Sequence, residues 1–339
     1  MSFKRFDAED LVIASEAVSA PVWSTGAPIL TTFFTSSTQP NLESGKFYYD
    51  VYQTGSTLDN AAVQLSIAYA DLDGSGSAPY NNAVVGKSPS STIYGQYRNL
   101  VLGDEDSSFS FGGVNQEYFY ALAIDRGRFK ESLLPASFNL TLKTTSNRTL
   151  KLTDNSADGA SVVFNDAGRV YQVVSGSNGI AYTGVNANGY TTSSGSYGLF
   201  LPDVGIILLN GAALDITGAS VEGIALGTTR ANTDAANPGK LFQAIKSGSE
   251  FQLNYKETVT SQFVFVRARN SEYNFSTNPS YITGTGDLRI SNMLDTPQSY
   301  ITSVGMYNDN NELLAVAKLS RPLLKDFTKE ALIRIKLDF

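Results

Sequence analysis

Apolar and polar residues alternate in short runs along most of the 339-residue chain. The period is two, that of a strand with one face buried, far more often than the 3.6 of a helix. Residues 10–14, 20–23, 29–35, 46–52 and 62–69 read as antiparallel strands, and strands at 114–124 and 137–142 complete a first unit. Further strands are expected at 148–152, 161–164, 170–174, 180–183 and 197–201, with turns at Ser177-Asn178-Gly179 and Asn188-Gly189. The apolar run 204–211 is short enough for a buried strand. Asn237-Pro238-Gly239-Lys240 opens the clearest helix candidate, 241–247, with Gly248 just beyond it. Strands at 250–256 and 261–269 follow. In the second, Phe263, Phe265 and Arg267 share one face and Val264, Val266 and Ala268 the other, so much of it should be buried. A loop rich in Asn and aromatics, 270–279, and a short strand at 288–290 lead to the end of the chain.

The terminal run organises the rest. Apolar stretches 300–307 and 312–319 flank Asn308-Asp309-Asn310-Asn311, residue types that tolerate positive φ, and predict a β-hairpin. After Pro322 and a polar link, Ile333, Ile335, Leu337 and Phe339 line one face of a last strand, with Arg334, Lys336 and Asp338 on the other. Such a strand either closes its own domain as an ordinary edge or is held by a neighbour. The second reading makes Ile333, Arg334, Ile335, Lys336, Leu337 and Phe339 the candidate assembly interface.

Composition agrees with the pattern. Tyr, Phe, Thr, Ser, Asn and Gly are abundant and charged residues make up only 17%, a mixture that favours strands and tight turns. The expected fold is mainly β, built of several antiparallel sandwich-like or barrel-like modules with few short helices. Composition shifts near 144–147 and again at 237, giving three expected domains: 1–145, a Gly/Ser/Asn-rich module or insertion at 146–238, and 239–339. A net charge of -7 argues against broad nucleic-acid or anionic-membrane binding. The opening residues lack the apolar core of a signal peptide, and no apolar run reaches membrane-spanning length.

The chain has neither Cys nor His. That removes disulfides, thiolate metal sites, a cysteine nucleophile, and the commonest general base. No cofactor or metal is expected, and an enzyme is disfavoured. Asp71-Leu72-Asp73-Gly74-Ser75-Gly76 has the first half of a calcium loop, but the twelfth position is Asn82 and Pro79 stands where a ligand belongs, so a polar surface loop is favoured. Asp104-Glu105-Asp106 reads as a solvated acidic loop, and Arg126-Gly127-Arg128 with Lys130 as a charged turn or a small basic patch. Phe47, Tyr48, Tyr49, Tyr52, Tyr118, Phe119 and Tyr120 are core residues first and interface anchors second.

The segments 266–279 (VRARNSEYNFSTNP), 301–308 (ITSVGMYN), 312–319 (ELLAVAKL) and 329–339 (KEALIRIKLDF) resemble virion structural proteins of tailed bacteriophages. So do the opening 23 residues and 30–39 (LTTFFTSSTQ), with the likeness strongest to contractile-tailed phages of marine and cyanobacterial hosts. It covers both ends of the chain and less of the middle. The resemblance implies a particle component near the tail or baseplate, made in host cytoplasm and residing in the virion. Its partners would be other virion proteins, in a homo- or hetero-oligomer, without nucleic acid or membrane. Three further roles stay open. One is a head decoration protein. Another is a tail adhesin binding host glycan, with Tyr171, Tyr182, Tyr190 and Tyr197 as candidates. The least favoured is a glycan-degrading enzyme using a pair among Asp154, Asp158, Asp166 and Asp203.

Overall fold

The computed structural model describes residues 4–23, 34–35, 47–55, 58–77, 88–144, 148–159, 162–182, 194–217, 223–231 and 236–338. Strands take up 46% of the protein and helices 14%, so it is mainly β, and its largest antiparallel sheet curls into a half barrel. In chain order the first elements are β1 (Leu11–Pro21), β2 (Phe34–Thr35), β3 (Tyr49–Tyr52), β4 (Val63–Asp71) and α1 (Pro89–Leu102). Next come β5 (Phe109–Phe111), β6 (Val114–Gln116), β7 (Tyr118–Ile124), β8 (Ser132–Leu133), β9 (Asn139–Lys143) and β10 (Thr149–Asp154). The middle holds β11 (Val163–Asn165), β12 (Gly168–Ser177), β13 (Ile180–Ala181), β14 (Gly198–Leu201), β15 (Ile206–Asn210) and the single turn α2 (Gly211–Leu214). The last elements are α3 (Asn237–Gly248), β16 (Glu250–Gln252), β17 (Asn254–Ala268), β18 (Ser299–Tyr307), β19 (Leu313–Lys325) and β20 (Ala331–Asp338).

Two compact units emerge: 18–257, and 1–17 joined with 258–339. These boundaries fall elsewhere than the composition shifts do. Strands from the first third and from the Gly/Ser/Asn-rich middle lie in one sheet of the larger unit, ordered β16-β9-β10-β12-β14-β15-β7-β4-β3-β2. The middle region looks distinct in composition because its connecting segments are polar, while its strands continue the ladder.

That sheet is covered on both faces, which explains the unbroken apolar runs in its central strands. Along β7, Tyr120, Leu122 and Ile124 enter one core and Phe119 and Ala121 the other. β4 splits the same way, with Leu65, Ile67 and Tyr69 opposite Ala68 and Ala70. The first core receives Leu241, Phe242, Ala244 and Ile245 of α3. In the second, Ile93, Tyr94, Tyr97 and Val101 of α1 settle over the small alanine face. There the Phe109 ring lies 4.6 Å from Phe119 and 5.5 Å from Tyr94 in edge-on contacts, the favoured geometry for aromatic pairs.

The start and end of α1 follow capping chemistry, whereas α3 follows Ala236 without a side-chain cap. Ser88 Oγ accepts from Ser91 N at the start of α1, Pro89 occupies the first turn, and Gly103 closes it at φ +70°. A Cβ at Gly103 would also fall 2.1 Å from Asp166 Oδ2, so only glycine fits without displacing that carboxylate. α3 has Pro238 in its first turn and includes the expected 241–247.

The smaller unit has a sheet ordered β1-β17-β20 and a separate ribbon, β18 with β19. β20 pairs antiparallel with β17 from Ser261↔Asp338 to Ala268↔Ala331, so the last strand closes a sheet of its own unit. The expected hairpin is present, with Asn311 at φ +62° in its turn. Its second strand runs further than expected, through Pro322, because the register shifts between Ile301 and Ser303 and leaves the proline in an irregular stretch. The strand expected at 288–290 is a lone bridge between Ile282 and Leu288.

Candidate functional site

The most elaborate polar constellation sits where β4 ends. Asp71 is fully buried. Its Oδ1 accepts from Asp73 N and Ser75 N at 3.0 and 3.1 Å, and its Oδ2 accepts from the Tyr69 hydroxyl at 3.2 Å. Arg230 completes the shell, donating from Nε to Asp71 Oδ2 at 2.7 Å and from Nη2 to Oδ1 at 3.3 Å. The same guanidinium reaches Glu117 at 2.7 Å and Asp73 at 3.4 Å, and lies 5.4 Å over the Tyr118 ring. Hydrogen bonding to Asp71 raises the Arg230 pKa further above its ordinary value. Burial, with the Asp71 charge beside it, keeps the Tyr69 phenol protonated, and burial with Asp215 does so for Tyr118. The loop with half a calcium signature therefore has a fixed internal cation in the place of an ion, and its first oxygen ligand is committed to main-chain N–H groups.

Asn237, also fully buried, extends this constellation. Its side chain accepts from Thr229 N at 2.9 Å and donates to Thr229 O and Gly76 O at 2.8 and 3.1 Å. Ser88 and Ser90 then donate to Gly74 O and Ser75 O, fixing the same loop to the start of α1. The result is a brace between segments distant in sequence.

Other carboxylates are similarly occupied. Asp104 accepts from Asp106 N and Ser107 N, and bonding to Ser107 lowers its pKa, so the acidic loop is an internally bonded turn. Asp154 is buried beneath Ala136 N and Ser156 N, and desolvation raises its pKa. Asp158 accepts from Ala181 N, while Asp203 forms a fork with Arg169 that lowers the carboxylate's pKa. Asp166 is exposed at the turn between β11 and β12. Among the described residues no group of three or more His, Cys, Asp or Glu side chains is placed to hold a metal ion.

In the basic turn at 126–130, Arg126 and Lys130 have partners, whereas the buried Arg128 Nε has no hydrogen-bond partner among the described residues. Arg126 donates to Phe129 O and stacks 4.5 Å over its ring, Asp125 caps Gly127 N, and Lys130 reaches Glu257 at 3.9 Å. Of the candidate sugar-stacking tyrosines, Tyr171 and Tyr197 are core residues and Tyr182 is exposed, while Tyr190 lies outside the described residues. Phe119 and Tyr120 are fully buried and Tyr48, Tyr49, Tyr52 and Tyr118 are half-buried, in keeping with their reading as core first.

On β20 the alternation read from the sequence is realised. Ile335 is buried and Ile333 and Leu337 are half-buried, while Arg334 and Lys336 stand exposed; Phe339 lies outside the described residues. Arg334 rests 5.4 Å over Phe263, and Lys336 bridges Asp338 at 3.2 Å and Glu16 at 3.6 Å. Half of the candidate interface thus turns toward covered ground, and Leu332, 66% exposed, joins the outward set that the sequence reading omitted.

The smaller unit buries little apolar surface. Among the described residues its buried apolar side chains are Val264, Ala268, Ala331 and Ile335, whereas Ile13, Leu294, Tyr300, Leu314, Val316 and Leu332 are each more than 60% exposed. Lys325 is fully buried there. Its ammonium donates to Asn270 O, Asn274 Oδ1 and Asp326 O at 3.0, 2.8 and 2.9 Å, which uses all three of its protons. Neither a protein-family model, nor a characterised protein, nor a solved structure matches the chain.

Proposed function

We propose that the chain is a non-enzymatic structural component of a tailed-phage virion, of the tail or baseplate, and that it works by protein–protein assembly through its β-rich surfaces. One observation carries the reading. The unit formed by 1–17 and 258–339 exposes far more large apolar side chains than it buries, and its β18–β19 ribbon is a two-stranded sheet. Two-stranded ribbons are marginal in water on their own, and large apolar side chains left uncovered on the same unit support an interaction surface. The segments resembling virion proteins in the sequence include this ribbon and β20.

The test is mass spectrometry of purified virions separated into heads and tails, with lysine cross-linking. Lys318, Lys329 and Lys336 are the informative sites because Lys325 is enclosed. Recovery in tails with links from these lysines to other tail proteins is expected. Recovery in heads assigns a decoration role instead, and absence from particles overturns the reading. A host-binding role has one observation in its favour: Val163, Phe164, Ile180 and Tyr182 are exposed on or beside β11 and β13, which both pair with β12. Binding of the isolated protein to host cells, abolished by Phe164→Ser, would establish it.

A further inference from the structure

We infer that copies of this chain join head to tail, the open edge of β20 in one copy adding to the open edge of β1 in the next; this rests on the assembly reading above. In the order β1-β17-β20 the middle strand is paired on both sides, so among the described residues β1 and β20 are the two outer strands of one sheet. Each leaves a row of main-chain donors and acceptors available to another strand. Natural edge strands are usually kept short or guarded by lysine, proline or a bulge. β1 is 11 residues long, its only proline is its last residue, and it has no lysine. Val12 and Ile13 on it are 46% and 72% exposed. β20 presents Leu332, 66% exposed, beside Arg334 and Lys336.

Charge selects which edges meet. β1 and the turn before it carry Asp7, Glu9, Asp10 and Glu16 over 7–17 with no base, whereas β20 carries Arg334 and Lys336 against Asp338, and Lys329 and Glu330 just ahead of it offset each other. A symmetric pairing of β1 with β1 would oppose two acidic edges, and β20 with β20 two basic ones. Only β1 with β20 brings opposite charges together, and like charges across strands are destabilising. An interface between two different patches generates rings where the rotation closes and filaments where it does not.

Light scattering coupled to size-exclusion chromatography tests this with two variants at highly exposed positions, Ile13→Lys and Leu332→Asp. The first puts a base on the acidic edge and the second an acid on the basic edge. The intact chain should form species larger than a dimer as concentration rises, and high salt should weaken them. Each variant alone should be monomeric. Mixed, they should recover one 1:1 complex of twice the monomer mass, because each keeps the edge the other has lost. Circular dichroism matching the parent shows that both variants fold. A monomeric parent at all concentrations, variants that still associate alone, or a mixture that stays monomeric would each overturn the inference. A monomeric parent that is nevertheless found in virion tails would overturn only self-association, whereas absence from virions would remove the assembly reading itself.

Discussion

Replacing Arg230 with Met tests whether the brace at Asp71 supports the larger unit. The substitution keeps the length of the aliphatic stem and a thioether near Tyr118, and removes the only cation, among the described residues, bonded to a carboxylate that has no exposed surface. Removing one partner of a buried ion pair costs about 3–5 kcal/mol, because the remaining charge is left uncompensated. Two features reduce that here. The arginine side chain is 35% exposed, so water already screens part of the attraction, and Asp71 keeps its bonds from Asp73 N, Ser75 N and the Tyr69 hydroxyl. The expected loss is about 2–3 kcal/mol, which for a unit of this size lowers the melting temperature by roughly 4–12 °C. Scanning calorimetry reads this directly. Combining Asp71→Asn with Arg230→Met removes the stranded charge while leaving one side-chain oxygen for the two N–H groups, so the double variant should melt above the single one. A single variant that melts with the parent, or a double variant that melts below the single, would refute the account of Arg230 as the counter-ion of a buried carboxylate.

Three further outcomes are expected. Asn274→Leu leaves the buried Lys325 ammonium one acceptor short and should cost about 1.5–3 kcal/mol in urea unfolding, with faster proteolysis of 269–279; unchanged unfolding would mean that water replaces the amide. Asp203 is held below its ordinary pKa of 3.8 by Arg169, so its stabilisation is fully present above that value and fades as pH falls through the lowered one. Asp203→Asn should therefore lower stability at neutral pH and converge with the parent in strong acid, whereas a constant difference across pH would exclude the charged fork as the cause. Gly103→Ala forces a left-handed residue and pushes on Asp166, and should lose about 1–2 kcal/mol; an unchanged urea midpoint would show that α1 can end in another way.

Periodicity made the strands legible where one or both faces are buried. β4, β7, β10, β12, β14, β15 and β20 all overlap stretches whose alternation or apolar run announces them. α1 was not foreseen, although Ser88 before Pro89, Ile93, Tyr94, Tyr97 and Val101 at helical spacing, and Gly103 are all helix signals; the sequence reading assigns the stretch no element and singles out only the acidic loop beyond it. The separation of 250–256 from 261–269 dissolved for a different reason. Lys256 and Tyr255 pair with β8 and the residues from Ser261 on pair with β20, so one long strand serves two ladders that sequence cannot foresee. Arg230 illustrates the harder limit. Its partners lie far away along the chain and its own surroundings have no period, so the one available hint was a base in a stretch nearly free of charge.

The Asp71–Arg230 bond joins residues 159 positions apart. At about 5–20 residues per second, a ribosome needs on the order of ten seconds or more to supply the arginine after the aspartate has been made. During that interval β4 and β7 can pair, but the carboxylate that ends β4 has no counter-ion and the brace cannot close. The larger unit must therefore complete its folding late, from contacts of long sequence separation, and such chains fold slowly. Open strands of the growing sheet then persist on a nascent chain, and the yield of finished protein should depend on shielding them until the segment around Arg230 has left the ribosome.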